Sequence, residues 1–305
     1  MHSSDESSVR MLVGICAYNE EHNIRKLLLN LLTKQNLPSN SRILVICSGC
    51  TDKTPQIVKE FCNRDTRIEL IFERLRKGKA NALNKIFKKA KKSADILILV
   101  NADALPKDGS IEKLIFQFKN ERVGAVFARP VPLNELQGIS NRIVHIVWEL
   151  HHNISFYKTP KLSAELCAIR TDCLKKIPED IATDEPYIEF SIRQQGYWIL
   201  YVPEAAVYIR CPTSVADLFK QRKRIWIGHL QIRRMTGFVV PTSNFRTALW
   251  TVLTLKPSEI PYALLGAVLE GVAYLVARLN FSKGKVPYVW DPIKSTKTSS
   301  ERDSF

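Results

Sequence analysis

The chain has 305 residues, 45% of them hydrophobic, and a formal net charge of +15. That length allows one large domain, or one domain with an appendage, and the apolar content suffices to bury a sizeable core. The basic balance points to anionic partners, among them nucleotide phosphates and anionic membrane surfaces, while seven scattered cysteines exclude a disulfide framework.

Residues 1–9 read as a flexible N-terminus, because Met1 to Arg10 is polar and lacks the apolar core of a secretory signal. From there strand-like and helix-like segments alternate. Met11 to Cys16, Ile43 to Cys47, Ile68 to Phe72, Ile96 to Val100 and Val123 to Ala128 are apolar runs of strand length. Between the first four lie helical patterns over Glu21 to Lys34, Asp52 to Cys62 and Lys79 to Lys92. Cys47 and Cys50 have Cys-x-x-Cys spacing, but no second pair or histidine cluster completes a metal site. The thiols are expected to be reduced and mostly buried, on a cytosolic face. Lys85, Lys88, Lys89, Lys91 and Lys92 share a helical stretch and read as a solvated face. This alternation predicts an α/β fold, a mostly parallel sheet with helices on both faces.

A long amphipathic segment, Leu136 to Tyr157, carries His145, His151 and His152, which read as packing or surface residues. Leu166 to Arg170 and Trp198 to Val202 are strand-like, and Asp184 to Gln194 and Val215 to Met235 helical. Beyond Gly237 two apolar stretches follow, Ala248 to Leu255 and Ile260 to Ala277, the second with a single charge, Glu270. A helix from Glu259 to Leu279 spans about 30 Å, near one hydrocarbon core. Residues 237–282 are therefore expected to associate with a membrane, either lying on it or crossing it, with 283–305 a loose polar tail.

The run Ile96 to Val100 stops abruptly at Asn101-Ala102-Asp103. In open α/β sheets ligands bind beyond the carboxyl ends of strands, and paired oxygen donors there suit a divalent cation and the diphosphate it neutralises. A turn uses the same residues. Three further loops fall at the same sheet edge. They are Cys16-Ala17-Tyr18-Asn19-Glu20, Ser48-Gly49-Cys50-Thr51-Asp52-Lys53-Thr54, and Arg76 to Asn84 before the third helix.

These loops resemble those of the family 2 glycosyltransferases of the GT-A fold, in Ala-Tyr-Asn-Glu, Gly-Cys-Thr-Asp-Lys-Thr, Gly-Lys-Ala-Asn-Ala-Leu-Asn and Asn-Ala-Asp, in that order. Thr183-Asp184-Glu185 is similar to the family's acidic catalytic motif, and Gly196 to Pro203 to the strand after it. The resemblance implies a Rossmann-like GT-A domain over 10–236. It implies an inverting transferase moving a sugar from a nucleotide-sugar donor, UDP-linked by preference, to an acceptor hydroxyl or lipid phosphate, on a lipid-linked or saccharide acceptor. Mn²⁺ or Mg²⁺ would assist, on the cytosolic side of a membrane. Ala17, Tyr18, Glu20, Ser48 and Asp52 would line the nucleoside pocket, Lys79 and Asn101 the ribose or diphosphate, and Asp103 would hold the metal. Asp184 or Glu185 would be the base. Alignment on Ile188 favours Glu185 and residue type favours Asp184. The same acids would also suit a helix N-terminus capped by Thr183.

Gln221-Arg222-Lys223-Arg224-Ile225-Trp226 resembles the Gln-x-x-Arg-Trp signature of membrane-bound members, with Ile225 at the tryptophan position and Trp226 one residue late. Gln221 and Arg224 share a helix face and would serve the acceptor or diphosphate, as would Trp226. One residue turns a helix by about 100°, so Trp226 does not simply substitute. Further departures are Cys47 and Ser48, and Asn101, where acids are usual. The alternatives are a non-catalytic nucleotide-sugar or lipid-binding module and a sugar nucleotidyltransferase, although the latter's glycine-rich phosphate loop after the first strand is missing. A nucleic-acid partner fits the charge but not the motif order.

Overall fold

The computed structural model describes residues 9–243, 252 and 254–296. Eight strands form one sheet in the order β3-β2-β1-β4-β7-β6-β8-β5. They are β1 (Met11–Ala17), β2 (Arg42–Ser48), β3 (Ile68–Glu73), β4 (Ile96–Val100), β5 (Ala104–Pro106), β6 (Val123–Pro132), β7 (Leu166–Arg170) and β8 (Trp198–Ile209). The helices are α1 (Ile24–Thr33), α2 (Thr54–Cys62), α3 (Lys79–Ser93), α4 (Ser110–Phe116), α5 (Ile139–Tyr157), α6 (Glu185–Gln194), α7 (Val215–Thr236) and α8 (Ile260–Ser282). The parallel pairings are β1 with β2 and β4, β2 with β3, and β6 with β8. β7 runs antiparallel to both β4 and β6, and β5 to β8. Short β5 and α4 carry too little periodic pattern to be read from sequence, and β6 and β8 extend beyond their apolar starts.

Alternation along the central strands feeds two cores. Val13, Ile15, Ile98 and Val100 face α1, α2, α4 and α5, while Leu12, Leu97 and Leu99 face α3 and α6. Gly14 lets α3 approach closely, since a Cβ there would sit 2.5 Å from Ile86 Cγ2 and 3.3 Å from Leu99 Cδ2. The approach carries the first residue of α3, Lys79, over the carboxyl ends of β1 and β4. Strand order reverses between these two strands, where such sheets form their ligand crevice.

All seven cysteines are free thiols, four of them buried. Burial and the Cys50 contact push the Cys47 thiol up, with the Cys50 hydrogen bond the larger cause. The histidines of α5 do pack: His145 Nε2 lies 2.8 Å from Asn134 O, His152 Nδ1 2.7 Å from Tyr201 Oη, and His151 is buried against Phe127 and Trp148.

Helix α8 is the one helix among the described residues long and apolar enough to cross a membrane. It lies along α7, burying Ala277 near Ile227, with Ala273 buried as well. Its one acidic residue is satisfied there, as Glu270 pairs with Arg222 and accepts from Trp226 Nε1 at 2.7 Å. The opposite face leaves Leu264, Val268, Val272, Leu275 and Leu279 exposed. The chain then returns over the domain. Trp290 Nε1 donates to Ala182 O at 3.1 Å, Ser295 Oγ to Asp217 Oδ2 at 2.9 Å, and Tyr288 covers Gly78. Residues 286–296, expected as part of a loose tail, are thus held against α7 and the loops before α3 and α6. Residues 1–8, most of the apolar run 248–255, and 297–305 lie outside the described residues.

Candidate active site

Cys16, Lys79, Asn101, Ala164 and Asp184 line a pocket at the strand-order reversal. Gly78, at φ +86°, turns the chain into α3 in a conformation that L side chains rarely adopt. Lys79 Nζ donates to Asn101 Oδ1 at 3.1 Å and lies 3.3 Å from Asp184 Oδ2. Burial opposes the Lys79 charge, but Asp184 and Glu185 outweigh it and raise its pKa. Asn101 Nδ2 donates to Glu165 Oε2 at 2.8 Å. Burial first, then the charges of Asp103 and Glu185, push the Glu165 carboxyl up to about 7.

The two adjacent acids separate cleanly. Glu185 points inward, its Oε2 2.9 Å from Lys161 Nζ and its Oε1 accepting from Ala164 N at 3.2 Å. Burial works against this carboxylate, yet Lys161 and Lys79 hold its pKa at about 2. Asp184 faces the pocket, with its Oδ2 buried and making no hydrogen bond among the described residues. The helix starts one residue later than the sequence implied. Asp184, not Thr183, is its N-cap, and neither side chain caps the backbone. Thr183 instead packs on Gly228 of α7, where a Cβ would fall 2.8 Å from Thr183 Cβ.

At the loop after β1, the Tyr18 ring stacks under the Arg76 guanidinium, 3.8 Å from its centroid. Burial lowers the Arg76 pKa, opposed by Tyr18 and Asp291. Ala17 ends β1. Ser48 is buried, its Oγ 3.5 Å from Leu75 O. Asp52 organises the loop: Oδ1 accepts from Thr54 N and Oγ1 at 3.0 and 2.6 Å, and Oδ2 from Glu21 N at 3.0 Å. Glu20 is buried and accepts from Asn23 Nδ2 at 2.9 Å. Glu20 and Asp52 therefore hold the two loops in shape.

The α7 trio splits. Arg224 stands 6.0 Å from the Trp290 ring, on the side of Arg76, and half-buried Gln221 shares its helix face. Trp226 turns away into α8, against Glu270 and Tyr274. The Trp226 indole, expected to serve the acceptor or diphosphate, is thus engaged in packing between α7 and α8.

Three site residues escaped the sequence reading. Glu165 is a lone acid in the apolar stretch Leu162 to Ile169, a signal that was there to see. Arg76 lies in the loop before α3, whose motif assigns it no role. Lys161 has no local signature. Among the described residues no group of three His, Cys, Asp or Glu could hold a metal alone. Asp103 and Glu165 offer hard carboxylate oxygens next to Asn101, which lines the pocket together with Asp184. A cation here would take its remaining ligands from a diphosphate and water, as Mg²⁺ and Mn²⁺ do.

A family model described as glycosyl transferase family 2 matches residues 12–177, more than half of the chain. The chain belongs to this family. It is 26% identical over 222 residues to the poly-β-1,6-N-acetyl-D-glucosamine synthase of Staphylococcus epidermidis, covering 69% of this chain and 52% of that protein. The Staphylococcus aureus (strain COL) synthase is 25% identical over 248 residues, 76% of this chain and 57% of that protein. The family 2 chain thus spans about half the length of the curated relatives it matches. Among solved structures it is similar to the mannosyltransferase PcManGT from Pyrobaculum calidifontis in complex with GDP-Man and Mn²⁺. That match has a TM-score of 0.61 and 22% identity and covers 94% of this chain and 82% of that one. S. aureus TarS 1–349 in complex with UDP-GlcNAc gives 0.50 at 16% identity, with 90% and 92% covered. These likenesses establish the GT-A fold for this family 2 chain.

Proposed function

We propose that the chain is an inverting glycosyltransferase that moves a sugar from a nucleotide-sugar donor, UDP-linked by preference, to an acceptor hydroxyl or lipid phosphate at the cytosolic face of a membrane. The observation that carries this reading is the convergence of Lys79, Asn101 and Asp184 in one pocket at the strand-order reversal. Tyr18 and Arg76 would hold the nucleoside, with Lys79, Arg224 and Arg76 offsetting diphosphate charge. Asp103 would bind Mn²⁺ or Mg²⁺, which neutralises charge developing on the leaving diphosphate. Asp184 would take the proton from the acceptor hydroxyl as its oxygen bonds to the anomeric carbon and the bond to the diphosphate breaks. Glu185 does not suit that role, because both its oxygens already have partners on the protein side. Membrane attachment would use the apolar face of α8, rimmed by exposed Arg278, Lys283 and Lys285.

The test is nucleoside diphosphate release and sugar transfer across a panel of UDP- and GDP-sugars with Mn²⁺ or Mg²⁺. Asp184→Asn should lower kcat by about 10²–10⁴-fold, and Asp103→Ala should abolish the metal response. Full activity in both variants refutes the assignment. One observation favours the non-catalytic reading, Asn101 where an acid is usual. Metal-dependent nucleotide binding without product over a broad acceptor panel would establish it.

A further inference from the structure

Asn101 occupies the first carboxylate position of the Asp-x-Asp-like motif, and both ends of its amide are committed. Oδ1 accepts from Lys79 and Nδ2 donates to Glu165. The partners settle the amide's orientation, since an ammonium only donates and a carboxylate only accepts. An aspartate at 101 could not make the second bond. It would set two carboxylates face to face beside Asp103, an arrangement that like-charge repulsion disfavours. Residues 101 and 165 are therefore matched: the acid at 165 requires a neutral donor at 101.

The sheet holds them together. β4 and β7 pair antiparallel with Val100 opposite Leu166, so the next position sets Asn101 opposite Glu165, and Asn101 N donates to Glu165 O at 3.2 Å. Among the described residues the Glu165 carboxylate forms no ion pair with a Lys or Arg, and its hydrogen-bond partner is the neutral Asn101 amide. It lies near enough to Asp103 to feel that charge. A half-buried acid fixed by strand pairing, beside a second acid and lacking a bonded cation of its own, is a place for a metal ion.

We propose that Glu165 supplies the second carboxylate of the divalent-cation site alongside Asp103, the acid absent at Asn101 having moved to the neighbouring strand. This rests on the metal-assisted reading above. The site would keep the hard oxygen set that Mn²⁺ or Mg²⁺ requires, with the Asn101 amide orienting the Glu165 carboxylate.

The test is Mn²⁺ uptake by the full chain in the presence of UDP or GDP, followed by the electron paramagnetic resonance signal of free Mn²⁺. Glu165→Gln should weaken uptake by about tenfold or more while metal-free Tm is kept. The double variant Asn101→Asp with Glu165→Gln, which returns the acid to the first strand, should recover most of it. Glu165→Asp, which keeps the charge but shortens its reach, should weaken uptake too and serves if the glutamine variant does not fold. Unchanged uptake in Glu165→Gln, with uptake lost in Asp103→Ala, overturns the relocation and leaves the metal reading standing. No uptake by the unaltered chain with either nucleotide overturns the metal reading and the relocation with it.

Discussion

His151 makes a sharp test of the polar layer beneath the pocket. It is 7% exposed, packed edge-on to Phe127 and Trp148, and neither ring nitrogen makes a hydrogen bond of good geometry among the described residues, the Lys161 backbone lying nearby. Burial first, then the Lys161 charge, lowers its pKa to about 3. The folded value lies below the unfolded one, so the unfolded chain takes up a proton that the native state refuses. Stability from this group is complete above pH 6.5 and falls as pH drops toward 3. At pH 5, an unfolded-state pKa of about 6.5 makes that proton worth about 2 kcal/mol. His151→Leu removes the titration and the orphaned nitrogens together. Urea unfolding at pH 7 and pH 5 should show the unaltered protein losing about 2 kcal/mol more than the variant, whatever other groups titrate. At pH 7 the variant should be no less stable, since replacing an unsatisfied buried polar group by an apolar one of similar shape is close to neutral. Equal losses in the two proteins would refute the argument and show that water or rearrangement serves the ring.

Three further outcomes follow from the same geometry. Lys161→Met strands the Glu185 carboxylate and should cost about 3–5 kcal/mol in urea unfolding. The cost should shrink as pH falls and Glu185 takes a proton, and Lys161→Met with Glu185→Gln should recover much of it. Gly228→Ala would drive a methyl into Thr183, so Tm and kcat should both fall, the overpacking costing about 1–3 kcal/mol. Unchanged values would show that α7 has slack at that contact. Val268→Glu with Val272→Glu should abolish co-sedimentation with anionic liposomes without lowering Tm, because both residues are exposed. Retained binding would remove α8 from the attachment surface.

Much of this was legible in the chain because the signals are local. Buried parallel strands such as Ile96 to Val100 are unbroken apolar runs, and the α3 periodicity of Ala80, Leu83, Phe87 and Ala90 survives its lysines. The loops could be ordered along one edge because each follows a strand. What was hidden depends on contacts between distant segments. Which of Asp184 and Glu185 faces the pocket is decided by Lys161 and Ala164, which no spacing links to α6. The fate of Trp226 is decided by Glu270, 44 residues away. The neighbour of Asn101 is set by the β4–β7 register, and antiparallel insertion of β7 has no trace in the residues of β4. Glu20 and Asp52 show that a motif position also serves to shape the loop that bears it.

The strand order also dictates when the pocket can exist during synthesis. β4 has β1 on one side from the start, but its other edge stays open until Leu166–Arg170 emerges, and β5 waits about a hundred residues for β8. Such long-range pairings are slow, and until they form a nascent chain exposes the apolar, unpaired flank of its central strand. The wall bearing Lys79 and Asn101 is thus laid down early, and the wall bearing Asp184 and Arg224 late. A ribosome-bound chain paused before β7 should be a partner for chaperones and incapable of turnover, gaining its chemistry only when the second half closes the sheet.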